Sequence, residues 1–208
     1  AWNEYWLWDN DDITSAVYYN EKGELDGYVI YWIADEVFHI KDMIFMNEEA
    51  RIGLWNFVSA HFSMINKVVG STFTDESLAF LLEDAKIQEN ISPYFMARIV
   101  DFEKFIEQYP FKPDTRKRVW SFTLEDPLLP WNQGGFTLTI DRQGKGKVEP
   151  TGKKHKDKID IQTMTTMLLG YKRPDYLNKI GRLVCNENTV DMLEDAIEQQ
   201  TSYFSDYF

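Results

Sequence analysis

The chain has 208 residues, of which 44% are hydrophobic and 15% aromatic, and this is enough for one large domain or two small ones. Such a composition excludes an intrinsically disordered chain, which lacks the apolar side chains that a core needs. The single cysteine, Cys185, excludes an internal disulfide framework, and the three scattered histidines argue against a metal site. There is no apolar run of roughly 18 residues and no export leader, so we expect a cytoplasmic protein that does not enter a membrane.

The formal net charge of −12 is unevenly distributed along the chain. Residues 1–94 hold 17 acidic and 5 basic side chains, whereas residues 95–208 hold 17 of each. An acidic field attracts cations and repels nucleic acid, so we expect a cationic partner and no nucleic acid. The alternative is that this acidic surface serves only to keep the protein in solution.

The first half of the chain predicts an antiparallel meander followed by helices. Its aromatic opening, residues 2–8, is expected to pack against other protein instead of fraying. Gly23 supplies the positive φ of the first hairpin turn, and Asn47 is a good helix N-cap. The predicted strands are residues 16–19, 27–33, 37–45, 67–71 and 94–100, and the predicted helices start at 47 and cover 76–84.

The chain pattern restarts near Asp101, which can cap a new helix. We therefore divide the chain into domains 1–100 and 101–208. In the second domain we expect Trp131 to be buried in a proline-rich corner, where it closes the sheet. The predicted helices are residues 102–109, 163–169, 174–180 and 188–200, and the predicted strands are 119–124, 135–140, 146–149 and 159–161.

The segment 144–147, with the sequence GKGK, invites comparison with a phosphate-binding loop. Arg142 stands one residue too close to Gly144 for the pyrophosphate loop of acyl-CoA-dependent transferases, and the segment joins two strands instead of opening a helix. We interpret it as a hairpin turn. We likewise expect structural roles for His39, His61 and Cys185, since none has an evident catalytic partner in sequence.

The last six residues contain four aromatic side chains, which are costly to leave in water. If this tail docks, the α-carboxylate of Phe208 is held at a fixed point, where it is ionised because its pKa is about 3.3–3.7. It then binds an ammonium group or accepts its proton. The alternative, which the residues alone favour, is a tail that only fills an apolar groove.

Residues 27–31 (GYVIY) and 38–43 (FHIKDM) resemble the central domain of the Eis-type ("enhanced intracellular survival") N-acetyltransferases. Residues 126–134 (DPLLPWNQG) resemble a corner in the same family's sterol-carrier-like C-terminal domain. The acidic, aromatic ending is also similar. The resemblance covers essentially the whole chain in the right order.

This resemblance implies an α+β fold, in which a GNAT-like domain with a mixed or antiparallel sheet precedes a sterol-carrier-like α/β sandwich. It implies that acetyl-CoA binds to a further GNAT domain absent from this chain, which begins at Ala1, so we expect a fragment that is inactive alone. The family acetylates amines, including aminoglycosides in some members, and forms oligomers, here a trimer or hexamer. Its C-terminal carboxylate maps onto Phe208 as the catalytic base. From the residues themselves, Asp206 either adds a second charge that binds the cationic substrate or faces solvent.

Two alternatives to this function remain open. The sterol-carrier-like domain binds a lipid or another hydrophobic ligand if it contains a continuous apolar tunnel. Alternatively, the chain is a structural assembly domain whose aromatic N-terminus forms an interface.

Overall fold

The computed structural model describes residues 13–72, 78–82, 84–92 and 95–202. The chain divides into two compact units, Ala1–Ile87 and Gln88–Phe208. Both units are mixtures of helices and strands, as predicted. Of the helices in the described ranges, none combines the length and the apolar character that a membrane span requires.

The first unit is built on a four-stranded sheet with the order β1-β2-β3-β4. Its described elements are β1 (Thr14–Tyr19), β2 (Leu25–Ala34), β3 (Val37–Phe45), α1 (Glu48–Ser59), β4 (Lys67–Gly70) and α2 (Leu78–Leu81). Strands β1 to β3 form the predicted antiparallel meander, and β4 pairs in parallel with β3. Asp35 and Glu36 both have positive φ, so the turn between β2 and β3 has the twist that two-residue hairpins prefer.

Helix α1 packs on this sheet through an apolar stripe of Ala50, Leu54 and Val58, spaced four residues apart. Asn47 begins the helix as predicted, because its side-chain oxygen accepts a hydrogen bond from the Ala50 amide at 2.9 Å. Val29 of β2 belongs to the same core and is fully buried.

The second unit has a five-stranded sheet with the order β7-β6-β5-β8-β9. Its elements are α3 (Phe102–Gln108), β5 (Arg118–Glu125), a 3₁₀ turn (Pro130–Asn132), β6 (Gly134–Ile140), β7 (Gly146–Pro150), β8 (Lys158–Asp160), α4 (Ile161–Leu168), α5 (Pro174–Lys179), β9 (Leu183–Val184) and α6 (Glu187–Ala196). Strand β8 pairs in parallel with β5, and the other pairings are antiparallel. The largest side chains of the core are fully buried, among them Phe102, Ile106, Phe122, Met164 and Leu193.

Some predicted elements are wrong in type or extent. Residues 95–100 were expected to form a strand, but they are irregular, because the Ile99 amide donates to the hydroxyl of Thr165 instead of to a neighbouring strand. Helix α2 ends at Leu81, before the predicted end at residue 84. Helix α6 ends at Ala196 instead of residue 200, since Ile197 is extended and fully buried, and the chain turns there.

Candidate functional site

The two residues that the sequence singled out for chemistry, Phe208 and Asp206, lie outside the described residues, as does the aromatic segment 2–8. The description of the tail ends at Ser202, whose amide donates a hydrogen bond to the Leu169 carbonyl oxygen at 3.0 Å. The catalytic carboxylate of Phe208 therefore stays a prediction. The chain that leads to it is docked on the second unit as far as Ser202.

A buried polar corner organises the start of the second unit. Asp126 is 1% exposed, and one of its carboxylate oxygens accepts hydrogen bonds from Arg98 at 2.5 Å and from the Leu129 amide at 3.0 Å. Its other oxygen accepts from the Asn132 amide group at 2.9 Å. The Asn132 side-chain oxygen in turn accepts from the Phe102 amide at 3.0 Å. The corner therefore fixes where helix α3 begins.

The same contacts set the protonation state of Asp126. Burial alone would raise the pKa of this carboxyl, but hydrogen bonds, led by those from Asn132 and Leu129, outweigh burial and hold the pKa below its ordinary value of 3.8. Asp126 is therefore a buried carboxylate at neutral pH, fully engaged with its partners. It has a structural role, because it is buried and holds Arg98, Leu129 and Asn132 in place.

The prediction that Trp131 is buried is wrong. Its ring is 63% exposed, and only the indole N–H is engaged, donating to the Val100 carbonyl oxygen at 2.9 Å. Asn132, the next residue, is 1% exposed instead. The 3₁₀ turn that begins at Pro130 directs the side-chain amide of Asn132 into the core and the ring of Trp131 toward solvent. The large side chain of Trp131 suggested burial. The side chain that closes the corner is instead that of Asn132, which makes three hydrogen bonds.

An open hollow of about 570 Å³ lies beside this corner, between the first turns of α3, Trp131 and Phe136. Two of its charged groups, Asp101 and Lys104, form an ion pair at 2.7 Å. Their hydrogen bond lowers the pKa of the Asp101 carboxyl and raises the pKa of the Lys104 amine, so neither group is set to exchange a proton near pH 7. This ion pair therefore supplies charge for binding and no acid–base chemistry.

Segment 144–147 is the predicted hairpin turn and not a phosphate loop. The turn, residues 141–145, connects β6 with β7, which starts at Gly146, and the carboxylate of Asp141 accepts hydrogen bonds from the amides of Gln143 and Lys145 at 2.9 and 2.8 Å. Gly144 has a φ of +83°, and a Cβ atom there would overlap the carbonyl oxygen of Phe111. Close packing and turn geometry thus explain the glycines without any bound anion.

The described histidines and Cys185 have the structural contacts that the sequence suggested. His39 stacks on Trp32 with ring centroids 4.6 Å apart, and the Nδ1 atom of His61 lies 2.9 Å from the Phe57 carbonyl oxygen. Burial and the nearby charge of Asp157 raise the pKa of the Cys185 thiol to about 11, which leaves it protonated and unreactive. Within the described ranges, no group of three or more His, Cys, Asp or Glu side chains is arranged to hold a metal ion.

Comparison with protein families identifies both halves of the chain. Residues 102–205 match the sterol carrier protein domain, and residues 1–99 match the acetyltransferase (GNAT) domain. The chain belongs to the sterol carrier protein domain family. It combines this domain with a preceding GNAT domain. Comparison with curated proteins gave no match.

Solved structures share this combined fold. A conserved protein of unknown function from Enterococcus faecalis, described as a probable N-acyltransferase, is 33% identical over 94% of this chain, with a TM-score of 0.86. The same fold occurs in a GCN5-related N-acetyltransferase from Anabaena variabilis, which is 23% identical over 92% of this chain with a TM-score of 0.78. It also occurs in Eis1 from Mycobacterium abscessus, which is 18% identical over 86% of this chain with a TM-score of 0.68. This chain covers only 50%, 50% and 47% of these three proteins, so it spans about half of their length.

Proposed function

We propose that this chain is part of an acetyl-CoA-dependent N-acetyltransferase of the Eis type that acts on amines such as aminoglycosides or polyamines. The observation that carries the proposal is the order of a GNAT domain and a sterol carrier domain in one chain. The 33% identity with a probable N-acyltransferase over nearly the whole chain supports it. The resemblance of residues 27–31, 38–43 and 126–134 to Eis-type proteins gives the finer assignment.

In this proposal acetyl-CoA binds to a GNAT domain that this chain does not contain. The one phosphate-loop-like segment, 144–147, is a hairpin turn, and the relatives are about twice as long as this chain. The chain then supplies part of the acceptor site and the scaffold of a homo-oligomer, a trimer or hexamer.

The proposed general base is the α-carboxylate of Phe208. An amine attacks a thioester only as the neutral species, so a group in the site must take its proton. A carboxylate suits this task with a cationic substrate, because it also attracts the ammonium form before the proton is removed. Asp206 and the net acidity of residues 1–94 would raise the local concentration of such a substrate.

The test is an assay of thiol release from acetyl-CoA by the product of the whole gene, with a polyamine and an aminoglycoside as acceptors. The proposal expects turnover that depends on the amine and yields an N-acetylated product by mass spectrometry. An alcohol of similar shape serves as the control acceptor. Amine-independent thiol release, or none at all, would contradict the proposal.

A second candidate is a lipid-binding function, which the match to a sterol carrier protein domain favours. The described core argues against it, because large side chains such as Phe122, Leu124 and Met164 fill the space beneath the sheet. Two hollows on this unit, of about 570 and 280 Å³, are open to the surface. Organic extraction of the purified protein followed by mass spectrometry decides between the two candidate functions, since a lipid at one copy per chain would favour lipid binding.

A further inference from the structure

The segment that follows helix α6 is held by the turn between α4 and α5. We infer that Gly170 and Arg173 form a clamp on residues 194–202, and that this clamp positions the chain terminus for the transfer reaction. The inference rests on the proposed role of Phe208 as the base. Gly170 and Arg173 are positioning residues, because they act through the tail and not on the substrate.

Arg173 makes the charged half of the clamp. Its guanidinium pairs with the carboxylate of Glu194 and donates to three backbone carbonyl oxygens, those of Glu194 at 2.8 Å, Ile197 at 3.3 Å and Glu198 at 2.9 Å. A planar fork with five N–H groups is the side chain best suited to such a set of acceptors. The other carboxylate oxygen of Glu194 accepts from the Asp175 amide at 2.8 Å, which ties the helix end to α5.

Gly170 makes the close-packed half. It has a φ of +75°, and a Cβ atom there would overlap the carbonyl oxygen of Gln200 and lie 3.1 Å from its carbonyl carbon. The two residues after Gln200 contact the same turn: the Thr201 hydroxyl lies 3.4 Å from the Gly170 carbonyl oxygen, and the Ser202 amide donates to the Leu169 carbonyl oxygen. The tail therefore crosses the turn at a point where only a glycine leaves room.

The clamp limits the space that the terminus can search. Six residues follow Ser202, and an extended chain spans about 3.3–3.6 Å per residue, so Phe208 reaches no further than about 20–22 Å from Ser202. Without the clamp the last fixed residue is the buried Ile197 instead of Ser202, so the chain from there to Phe208 lengthens from six to eleven residues. Because effective concentration falls roughly as the −3/2 power of tether length, the carboxylate becomes about 2.5-fold more dilute at its site.

A matched pair of glycine variants tests the clamp. Gly170 and Gly181 both follow a helix and have nearly the same φ, +75° and +76°, but a Cβ atom at Gly181 would meet nothing within 4 Å. The variants Gly170→Ala and Gly181→Ala therefore carry the same backbone strain, and only the first pushes on the tail. Hydrogen exchange measured by mass spectrometry should show the amides of residues 198–202 exchanging at least about tenfold faster in Gly170→Ala than in Gly181→Ala. Equal exchange in the two variants would overturn the clamp.

Kinetics of the whole-gene product then test positioning. Gly170→Ala should lower kcat about 2.5-fold or more relative to Gly181→Ala, with a smaller change in KM. The same substitution should have no further effect on kcat in a protein extended by one residue beyond Phe208, where the native carboxylate is already lost. A released tail with unchanged kcat would overturn the positioning role. If extension alone leaves kcat unchanged, the base assignment fails and positioning with it, while the exchange data still report whether the clamp exists.

A second pair of variants covers the case in which Gly170→Ala does not fold. Arg173→Met removes the fork at the start of α5, and Lys179→Met removes an equal charge from the end of α5, where Lys179 pairs with the exposed Asp175 at 2.7 Å. Arg173→Met should reproduce the faster exchange and the lower kcat, and Lys179→Met should not. Identical behaviour of these two variants would overturn the inference.

Discussion

Replacing Asn132 by alanine should destabilise the second unit far more than replacing the much larger Trp131. The Asn132→Ala variant leaves the buried Phe102 amide without its acceptor and takes one donor from the buried Asp126 carboxylate. An orphaned buried group costs about 1–3 kcal/mol, and more when it is charged, so we expect a loss of about 3–5 kcal/mol. The Val100 carbonyl oxygen, which also accepts from Asn132, keeps its bond to the Trp131 indole.

The Trp131→Ala variant should cost only about 1–2 kcal/mol. It loses one hydrogen bond of about 0.5–1.5 kcal/mol and the small buried part of a ring that is 63% exposed. Leu128→Ala is the control from the same corner, since Leu128 is 70% exposed and should contribute less than about 0.5 kcal/mol.

The assay is urea denaturation followed by hydrogen exchange in strand β5, which reports unfolding of the second unit independently of tryptophan fluorescence. The three variants should rank Asn132→Ala, Trp131→Ala and Leu128→Ala in falling order of destabilisation at constant m-value. If Trp131→Ala is as destabilising as Asn132→Ala, the ring carries the corner and the reasoning from hydrogen bonds is refuted.

Three further predictions concern titration and binding. The pKa of Asp126 lies below 3.8 in the folded protein, so the stability that this carboxylate contributes is complete above pH 3.8 and is lost as the pH falls through the folded pKa. In urea titrations Asp126→Asn should be less stable than the native protein at pH 7 but should lose less stability between pH 5 and 2. Equal losses of stability in the two proteins over this pH range would contradict the prediction. With a pKa of about 11 against an ordinary 9.0, Cys185 should react with a disulfide reagent at pH 7 about tenfold more slowly than a free thiol, because its hundredfold smaller thiolate fraction is partly offset by the greater nucleophilicity of a more basic thiolate. A rate matching glutathione would refute the raised pKa. Residues 1–208 alone should show no heat of binding with acetyl-CoA by calorimetry, whereas micromolar affinity would place a cofactor site in this chain.

The sequence predicts elements well where the signal is local. Alternating β-branched and aromatic residues flank the turns of the first meander, and the cap residues Asn47 and Asp101 begin α1 and α3 as expected. Strand pairing between distant segments is harder to predict from sequence. Nothing in the sequence near β8 indicates that it pairs in parallel with β5, whose partner residues lie 35 positions earlier in the chain. Residues 95–100 have strong strand propensity, but a side-chain hydroxyl from α4 takes the place of a neighbouring strand.

The candidate site could be predicted only in part, for a related reason. Side-chain size suggested that Trp131 closes the corner, whereas the number of available donors and acceptors selects Asn132. The sequence contains one indication of the clamp, namely a glycine just after α4, Gly170, and an arginine just before α5, Arg173. That signal specifies a helix end, and only the fold shows that residues 194–202 cross it.

The most direct test of the account is the ratio of kcat between the native whole-gene product and the same protein extended by one glycine after Phe208. The extension keeps the aromatic tail and removes the native α-carboxylate, so folding and acetyl-CoA affinity should not change. Loss of a general base typically lowers the rate about 10²–10⁴-fold, and the account predicts a fall in kcat within this range for amine acetylation. An extended protein that acetylates the amine at the native rate would contradict it.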